Sequence, residues 1–171
     1  MKMRHDLREP DWDDRFKPFV DELDRDAIAI LTSIDHFAHT MRSHFENQVL
    51  VHYRLSWTAF AILYELFVHG KLEVRDLAGK VGISKATVSN VSKTLEKNGY
   101  CGRESDKKDR RMTRLFLTKS GEETVATLYP KFHAEERRLV RYLDTGEKKT
   151  LLRLLNKMNN KGESGSNETD V

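Results

Sequence analysis

Short polar side chains and lysines are concentrated in one run of the sequence, between residues 84 and 93. Hydroxyl and amide groups of this kind can hydrogen-bond base edges or phosphates, and lysines neutralise phosphates. A second run, residues 106–111, is rich in Lys and Arg, and an arginine at a hairpin tip can enter a narrow minor groove. These residue types predict contact with double-stranded DNA. The candidate contacts are Ser84, Lys85, Thr87, Ser89, Asn90 and Lys93 in the first run and Lys107, Lys108, Asp109, Arg110 and Arg111 in the second.

The distribution of charge supports the same interpretation. The chain has 171 residues and a formal net charge of only +3. Residues 71–119 contain 13 basic and 6 acidic side chains, a net charge of +7, whereas residues 1–70 have a net charge of −4 and residues 120–171 of 0. A basic segment between acidic and neutral ones is typical of a nucleic-acid footprint. A solvated, lysine-rich face is the other interpretation of the charge alone.

Two short helices would position the first polar run. Apolar residues at helical spacing predict one helix over residues 74–80 and another from a Ser84 cap to about Lys97. Gly82 lies in the short connection between them, where the chain must turn sharply. This arrangement predicts a helix-turn-helix, with the second helix presenting its polar face to a major groove.

The elements around this unit extend the prediction to the rest of the chain. Periodicity predicts helices over residues 20–53, 56–69, 118–143 and 145–158 and two strands over 100–105 and 112–117. A first helix of that length exceeds what one small core needs, so we expect it to pack on a partner subunit. The predicted segments are an N-terminal arm (1–18), a dimerisation helix (19–55), a DNA-binding domain (56–119), C-terminal dimerisation helices (120–160) and a disordered tail (161–171).

Composition excludes several other classes of protein. No run approaches the roughly 20 apolar residues that cross a bilayer, and the N-terminus has no apolar signal-peptide core. The single cysteine, Cys101, excludes an internal disulfide framework and predicts a reducing, cytoplasmic location. Because no glycine-rich phosphate loop, nucleophile elbow or convincing metal motif is present, we expect neither an enzyme nor a cofactor.

Two motifs between residues 77 and 121 are specific enough to compare with a known family. The first is Gly82-Ile83-Ser84-Lys85-Ala86-Thr87-Val88-Ser89, followed by Leu95-Glu96-Lys97-Asn98-Gly99-Tyr100. The second is Asp109-Arg110-Arg111, followed by Leu115-Phe116-Leu117-Thr118 and then Gly121. Together they resemble the helix-turn-helix and wing of the MarR (multiple antibiotic resistance regulator) family of transcriptional regulators.

The resemblance implies a fold, a function and an assembly. The fold is mainly α with a small β-hairpin wing, a winged helix-turn-helix whose long N- and C-terminal helices form a dimerisation region. The function is sequence-specific DNA binding by a homodimer, most often as a ligand-responsive repressor, on a pseudo-palindromic operator. In the wing, Arg111 would enter the minor groove while Asp109 pairs with it, and the other basic residues there would contact the backbone.

Sensor chemistry is less clearly indicated, and several alternatives stay open. The resemblance implies a small aromatic or other organic effector, with candidate pocket residues His36, His39, Tyr53, Trp57, Phe60 and Tyr64. These aromatic residues could equally be ordinary core. Metal sensing through the histidines and redox sensing through Cys101 are further alternatives. A winged-helix adaptor that binds protein instead of DNA is the alternative from another functional class.

Overall fold

A computed structural model describes residues 23–105 and 113–164 of the chain. The helices and strands in these ranges are α1 (Arg25–Gln48), α2 (Trp57–His69), β1 (Leu72–Glu73), α3 (Val74–Val81), α4 (Lys85–Lys97), β2 (Cys101–Ser105), β3 (Thr113–Leu117), α5 (Lys119–Leu139) and α6 (Thr145–Ser164). The predicted fold class, mainly helical with a small antiparallel sheet in a winged helix-turn-helix, is confirmed. Within the described ranges, no helix has the length and apolar character needed to span a membrane.

Helix α1 is shorter than the sequence predicts. It begins after Asp24, whose carboxylate accepts a hydrogen bond from the Ala27 amide at 2.9 Å, and it ends at Gln48. A 3-10 helix, Leu50–Tyr53, follows. The prediction of one continuous helix over residues 20–53 is therefore wrong at both ends. The apolar spacing persists past Gln48 because Leu50 and Leu55 are core residues, and the chain turns to bury them.

The helix-turn-helix itself has the predicted elements. The Ser56 and Ser84 hydroxyls cap α2 and α4, accepting amide hydrogen bonds at 3.2 and 3.0 Å respectively. Helix α4 ends at Lys97, as predicted. Between α3 and α4, Gly82 has a φ of +71°, a left-handed conformation that costs glycine little. These boundaries follow from local capping and turn signals, which is why the sequence predicts them well.

The wing strands belong to a three-stranded antiparallel sheet. The strand order is β1-β3-β2, so β3 is central, and its Leu115 is fully buried. Strand β1 was not predicted, because two residues have no recognisable period and become a strand only by pairing with β3. In β2, Cys101 and Arg103 share the same side of the strand because side chains alternate.

Helix α5 begins where a glycine allows close packing. The Thr118 hydroxyl caps the helix by accepting the Gly121 amide at 3.1 Å. A Cβ atom at Gly121 would lie 2.0 Å from the Tyr100 carbonyl oxygen, so only glycine fits this approach of the helix to the loop before β2. The helix ends at Leu139, four residues before the predicted end.

Helix α6 begins at Thr145, where the prediction starts, but ends later than predicted. Its cap is Asp144: the Asp144 carboxylate accepts a hydrogen bond from the Glu147 amide, and the Glu147 carboxylate accepts one from the Asp144 amide, each at 2.8 Å. This reciprocal arrangement is a capping box. The helix continues to Ser164, past the predicted end at Met158. Residues 161–164, which the prediction assigned to a disordered tail, are therefore helical.

The core joins α2, α3, α4 and the sheet to the end of α1 and to α5, whereas the rest of α1 and the described side chains of α6 are not buried. An aromatic cluster joins three helices: the Phe132 ring of α5 stacks on Phe45 of α1 at 4.0 Å and lies 4.4 Å from Phe60 of α2. By contrast, no residue is buried between 25 and 44 in α1 or between 145 and 159 in α6. Apolar side chains of these two helices instead line an open groove of about 650 Å³. Its lining residues are Ala29, Ile30, Ser33, Ile34, Leu151, Leu154, Leu155, Lys157 and Met158.

Candidate nucleic-acid interface

Helix α4 has one buried face and one exposed face. Val88, Ser92 and Leu95 are buried, at spacings of four and three residues that define one helix face. That face packs on α2, α3 and β2. On the opposite face, Lys85 and Asn90 in the first two turns are exposed. The helix is therefore oriented as a helix must be to enter a major groove.

The six predicted DNA contacts between residues 84 and 93 differ in their exposure. Five of them are exposed: Ser84, Lys85, Thr87, Asn90 and Lys93. The Ser84 and Thr87 hydroxyl oxygens also lie 2.8 Å apart at the helix cap.

Ser89, the sixth predicted contact, is half-buried in a cleft of about 380 Å³ between the starts of α3 and α4 and the sheet. The cleft also holds Arg75, which is exposed and which the sequence analysis did not single out. Arg75 lies in the first turn of α3, next to the α4 terminus, and adds a cation at the place where a DNA backbone would pass. The structure thus brings the helix contacts and an additional arginine to one surface.

The wing contacts cannot be placed in the same way. Strands β2 and β3 lead to the hairpin tip, and Cys101 pairs with Leu117 at its base. The predicted contacts Lys107, Lys108, Asp109, Arg110 and Arg111 lie outside the described residues. Their roles stay predictions that depend on the family resemblance.

Sequence reasoning missed one cluster of bonded side chains beside α4. The Arg103 guanidinium of β2 reaches across to α4 and bonds Glu96 and Ser92. Ser92 lies four residues after Val88 and three before Leu95, so helical spacing could have identified a polar side chain on the buried face. The pairing with Arg103 has no such signal, because it depends on how the hairpin docks.

Cys101 lies behind this cluster and is buried. Its thiol donates to the Ser92 carbonyl at 3.7 Å. Burial, with a smaller contribution from the Glu96 charge, raises the pKa of Cys101 from 9.0 to about 11, while Arg103 opposes the shift. A thiolate is the reactive form of cysteine, so this environment favours a packing role.

The Cys101 environment predicts low reactivity. At pH 8 we expect an aromatic disulfide reagent to modify Cys101 about 100-fold more slowly in the folded protein than in urea, because two pKa units reduce the thiolate fraction by that factor. Stopped-flow absorbance would measure both rates. Similar rates in the two conditions would contradict a buried, protonated thiol.

The predicted pocket residues are not all brought together. Trp57, Phe60 and Tyr64 line one side of α2: the Trp57 ring lies 5.8 Å from Phe45, and the Tyr64 ring stacks on Tyr129 at 5.4 Å. The Tyr53 hydroxyl accepts a hydrogen bond from Lys131 at 3.2 Å, on the adjacent part of α5.

His36 and His39 are exposed on α1. They precede Phe45 by nine and six residues, about 13 and 9 Å along the helix axis. The histidine that does contact α5 is His44, whose Nε2 lies 2.6 Å from the Glu135 carboxylate. Among the described side chains, no group of three or more His, Cys, Asp or Glu residues is arranged to hold a metal ion.

Comparisons with known proteins agree with this geometry. The model of the MarR family matches residues 55–113. The uncharacterized HTH-type transcriptional regulator YwaE of Bacillus subtilis (strain 168) is 45% identical over 139 residues, which are 81% of this chain and 81% of that protein. The structure of the S. aureus MepR-DNA complex superposes with a TM-score of 0.72 at 25% identity, covering 76% of this chain and 96% of that one.

A second solved structure has the same fold. This structure is that of Bordetella bronchiseptica BpsR, a protein whose DNA binding is regulated by 6-hydroxynicotinic acid. It superposes with a TM-score of 0.70 at 22% identity and covers 76% of this chain and 98% of that one. Since the relationship to YwaE extends over most of both chains and the family model covers the helix-turn-helix, the chain belongs to the MarR family and is a DNA-binding transcriptional regulator.

Proposed function

We propose that the protein acts as a homodimeric, ligand-responsive repressor in the cytoplasm and binds a pseudo-palindromic operator. The observation that carries the proposal is the presence, in one chain, of an exposed polar recognition helix and of two long helices with unburied apolar faces. The polar face suits a DNA groove, and the apolar faces suit a protein partner that would bury them. The proposal assigns the chain a binding role and no catalytic step.

The homodimer is supported by the exposed apolar faces of α1 and α6. Ile30, Leu31 and Phe37 of α1 are at least half exposed, and so is Leu152 of α6. Contiguous apolar patches of this kind mark protein interfaces. A two-fold symmetric dimer would bury the same faces on both chains and would place two recognition helices on one side of the assembly, which is the arrangement that reads two half-sites.

The DNA contacts we propose combine the two predicted runs. Ser84, Lys85, Thr87, Ser89, Asn90 and Lys93 would contact the major groove and its phosphates, and Lys107, Lys108, Asp109, Arg110 and Arg111 would form the wing contacts. Fixed phosphate contacts orient the protein, whereas side chains at base edges read the sequence. Arg75 extends this set at the cleft beside α4.

An effector site is proposed beside the aromatic cluster. Tyr53, Trp57 and Tyr64 are half-buried, which leaves ring edges accessible next to the Lys131 ammonium. Ring surfaces beside a cation suit a small aromatic acid, and BpsR has the same fold and is described with 6-hydroxynicotinic acid. Binding there would shift the equilibrium between two spacings of the recognition helices, provided that the effector binds one state more tightly.

The direct test is selection of an operator. The protein would be incubated with a random-sequence duplex library, and the enriched sequences would be examined for an inverted repeat. Titration of the enriched duplex should show two chains per duplex and an affinity that falls steeply with salt, through counterion release. Enrichment of no sequence, or salt-independent binding to a protein partner, would favour the adaptor alternative.

Two substitutions should separate phosphate contact from groove contact. We expect Arg111→Ala to weaken operator binding by about 1–3 kcal/mol and to relax specificity, because it removes a minor-groove contact. Lys93→Ala should weaken binding to operator and to scrambled duplex equally, because it removes a phosphate contact. Fluorescence anisotropy at fixed salt measures both. Unchanged affinity of Arg111→Ala, or a Lys93→Ala loss confined to the operator, would contradict these assignments.

A further inference from the structure

Arg103 joins the wing to the recognition helix through three hydrogen bonds. Its Nε donates to the Glu96 carboxylate at 2.8 Å. Its Nη2 donates to the Ser92 hydroxyl at 2.6 Å and to the Ser89 carbonyl oxygen at 3.2 Å. One side chain of β2 thus bonds three residues on successive turns of α4, Ser89, Ser92 and Glu96.

The cluster is partly shielded from solvent. The side chains of Arg103 and Glu96 are 28% and 26% exposed, and Ser92 is completely buried. The Ser92 hydroxyl donates to the Ser89 carbonyl at 3.2 Å while it accepts from Arg103, so both of its roles are used. Charge-assisted bonds in a partly buried site are stronger than surface ion pairs. A planar guanidinium is the cationic side chain that can satisfy acceptors in these different directions.

The bonds of Arg103 distinguish it from the exposed cations beside it. Arg103 lines the same cleft as Lys85 and Arg75, but its Nε and Nη2 donate to α4, whereas the side chains of Lys85 and Arg75 are exposed. On the same side of β2, the Cys101 thiol donates to the Ser92 carbonyl oxygen at 3.7 Å. Arg103 therefore links the wing strand β2 to α4 at the edge of the cleft.

We propose that Arg103 is a positioning residue that fixes the angle between the recognition helix and the wing, and thereby sets operator specificity. This inference rests on the proposed function, in which α4 and the wing both contact the same operator. Base readout requires side chains to be held within a fraction of an ångström of their partners. Binding to any duplex depends mainly on the number of phosphates neutralised. Loosening the angle should therefore reduce specific binding and leave non-specific binding intact.

The decisive variant is Glu96→Gln, because the two possible roles of Arg103 predict opposite results. If Arg103 positions α4, loss of the carboxylate weakens the link, and the ratio of operator to scrambled-duplex affinity should fall about threefold or more. If Arg103 is instead a phosphate contact restrained by Glu96, removing the acid should strengthen binding to both duplexes equally and leave the affinity ratio at the wild-type value. The second result would overturn the proposal.

Arg103→Gln and Arg103→Lys extend the test. Arg103→Gln should reduce the affinity ratio about tenfold, the factor expected for losing a charge-assisted hydrogen bond, with an unchanged slope of log affinity against log salt. A phosphate contact would lower the slope by about 0.9. Arg103→Lys keeps the charge but cannot reproduce the planar fork, so it should show a similar loss of specificity and serves if Arg103→Gln does not fold.

The matched control is Glu104→Gln on the same strand. Glu104 points to the other side of the sheet, where its carboxylate lies 2.6 Å from the Lys71 ammonium. The change in charge is the same as in Glu96→Gln, but no bond to α4 is lost. We expect the wild-type affinity ratio, and a loss of specificity equal to that of Glu96→Gln would overturn the assignment to Arg103.

Two readouts keep this inference distinct from the proposed function. The duplex is the one that the wild-type protein enriches from a random library, and if none is enriched, operator recognition itself fails. If one is enriched and the Arg103 variants keep the wild-type ratio, only the positioning role fails. Hydrogen exchange of residues 85–97 in the DNA-free protein should be faster in Arg103→Gln than in Glu104→Gln. Equal exchange would contradict a link that holds the helix.

Discussion

Replacing Phe132 by Ala should lower the free energy of unfolding by about 3–5 kcal/mol, the largest stability effect we expect from a single change in this chain. The ring is buried at the meeting point of three helices, stacked on Phe45 at 4.0 Å and 5.9 Å from Trp57. Removing it leaves a cavity that α1, α2 and α5 cannot all close. For a chain of this length the loss corresponds to roughly 10 °C in Tm.

Thermal unfolding followed by circular dichroism at fixed protein concentration measures the Phe132 effect. The matched control is Phe67→Ala, which removes the same atoms from a side chain that is 46% exposed at the end of α2. We expect the control to lose less than half as much stability, since exposed apolar surface contributes little to folding. A loss below about 1 kcal/mol for Phe132→Ala would show that the cluster is not the packed junction described above.

Replacing Ile34 by Asp should weaken the proposed dimer by at least about 100-fold. Ile34 lines the groove between α1 and α6 opposite Leu151 and Leu154. A carboxylate buried in an apolar interface costs several kcal/mol, and two-fold symmetry introduces it twice. Since about 1.4 kcal/mol corresponds to a factor of ten, a cost of about 3 kcal/mol is enough for this loss.

Sedimentation velocity over a range of concentrations would measure the Ile34 effect. Thr32→Asp is the control, because Thr32 is exposed on α1 and lies two residues, about 200°, around the helix from Ile34. It should sediment like the wild type. Operator affinity should fall together with dimerisation for Ile34→Asp, because a monomer reads one half-site. A monomeric wild type, or an Ile34→Asp protein that sediments as the wild type does, would contradict the proposed assembly.

The sequence predicts best those parts of the fold that depend on neighbours along the chain. The ends of α4 follow from a serine cap and the Asn98-Gly99 pair that ends it, and these signals act within a few residues. The end of α1 was missed because Leu50 keeps the helical spacing, although tertiary packing pulls it into the core. Strand β1 was missed for a related reason, since it exists only through its pairing with β3.

The candidate site divides in the same way. The exposed polar face of α4 follows from periodicity, because burying Val88 and Leu95 leaves Asn90 outside. The bonds that hold this face in place do not follow from periodicity. Arg103 lies seven residues after Glu96, across a turn and on a different element, so their 2.8 Å contact depends on the hairpin docking. Sequence patterns thus predict what the surface presents, whereas the structure is needed to see what orients it.

The absence of buried residues along most of α1 and α6 has a consequence for the protein in the cell. A newly made chain has a packed DNA-binding half, while two helices totalling more than 40 residues have little to hold them in place until a second chain arrives. Unassembled subunits would therefore be preferred substrates for proteases, which attack segments that open readily. If the protein is a dimer, its concentration in the cell would determine both how much of the operator is occupied and what fraction of the subunits is protected from proteolysis. A small fall in synthesis would then lower the amount of regulator faster than dilution by growth alone.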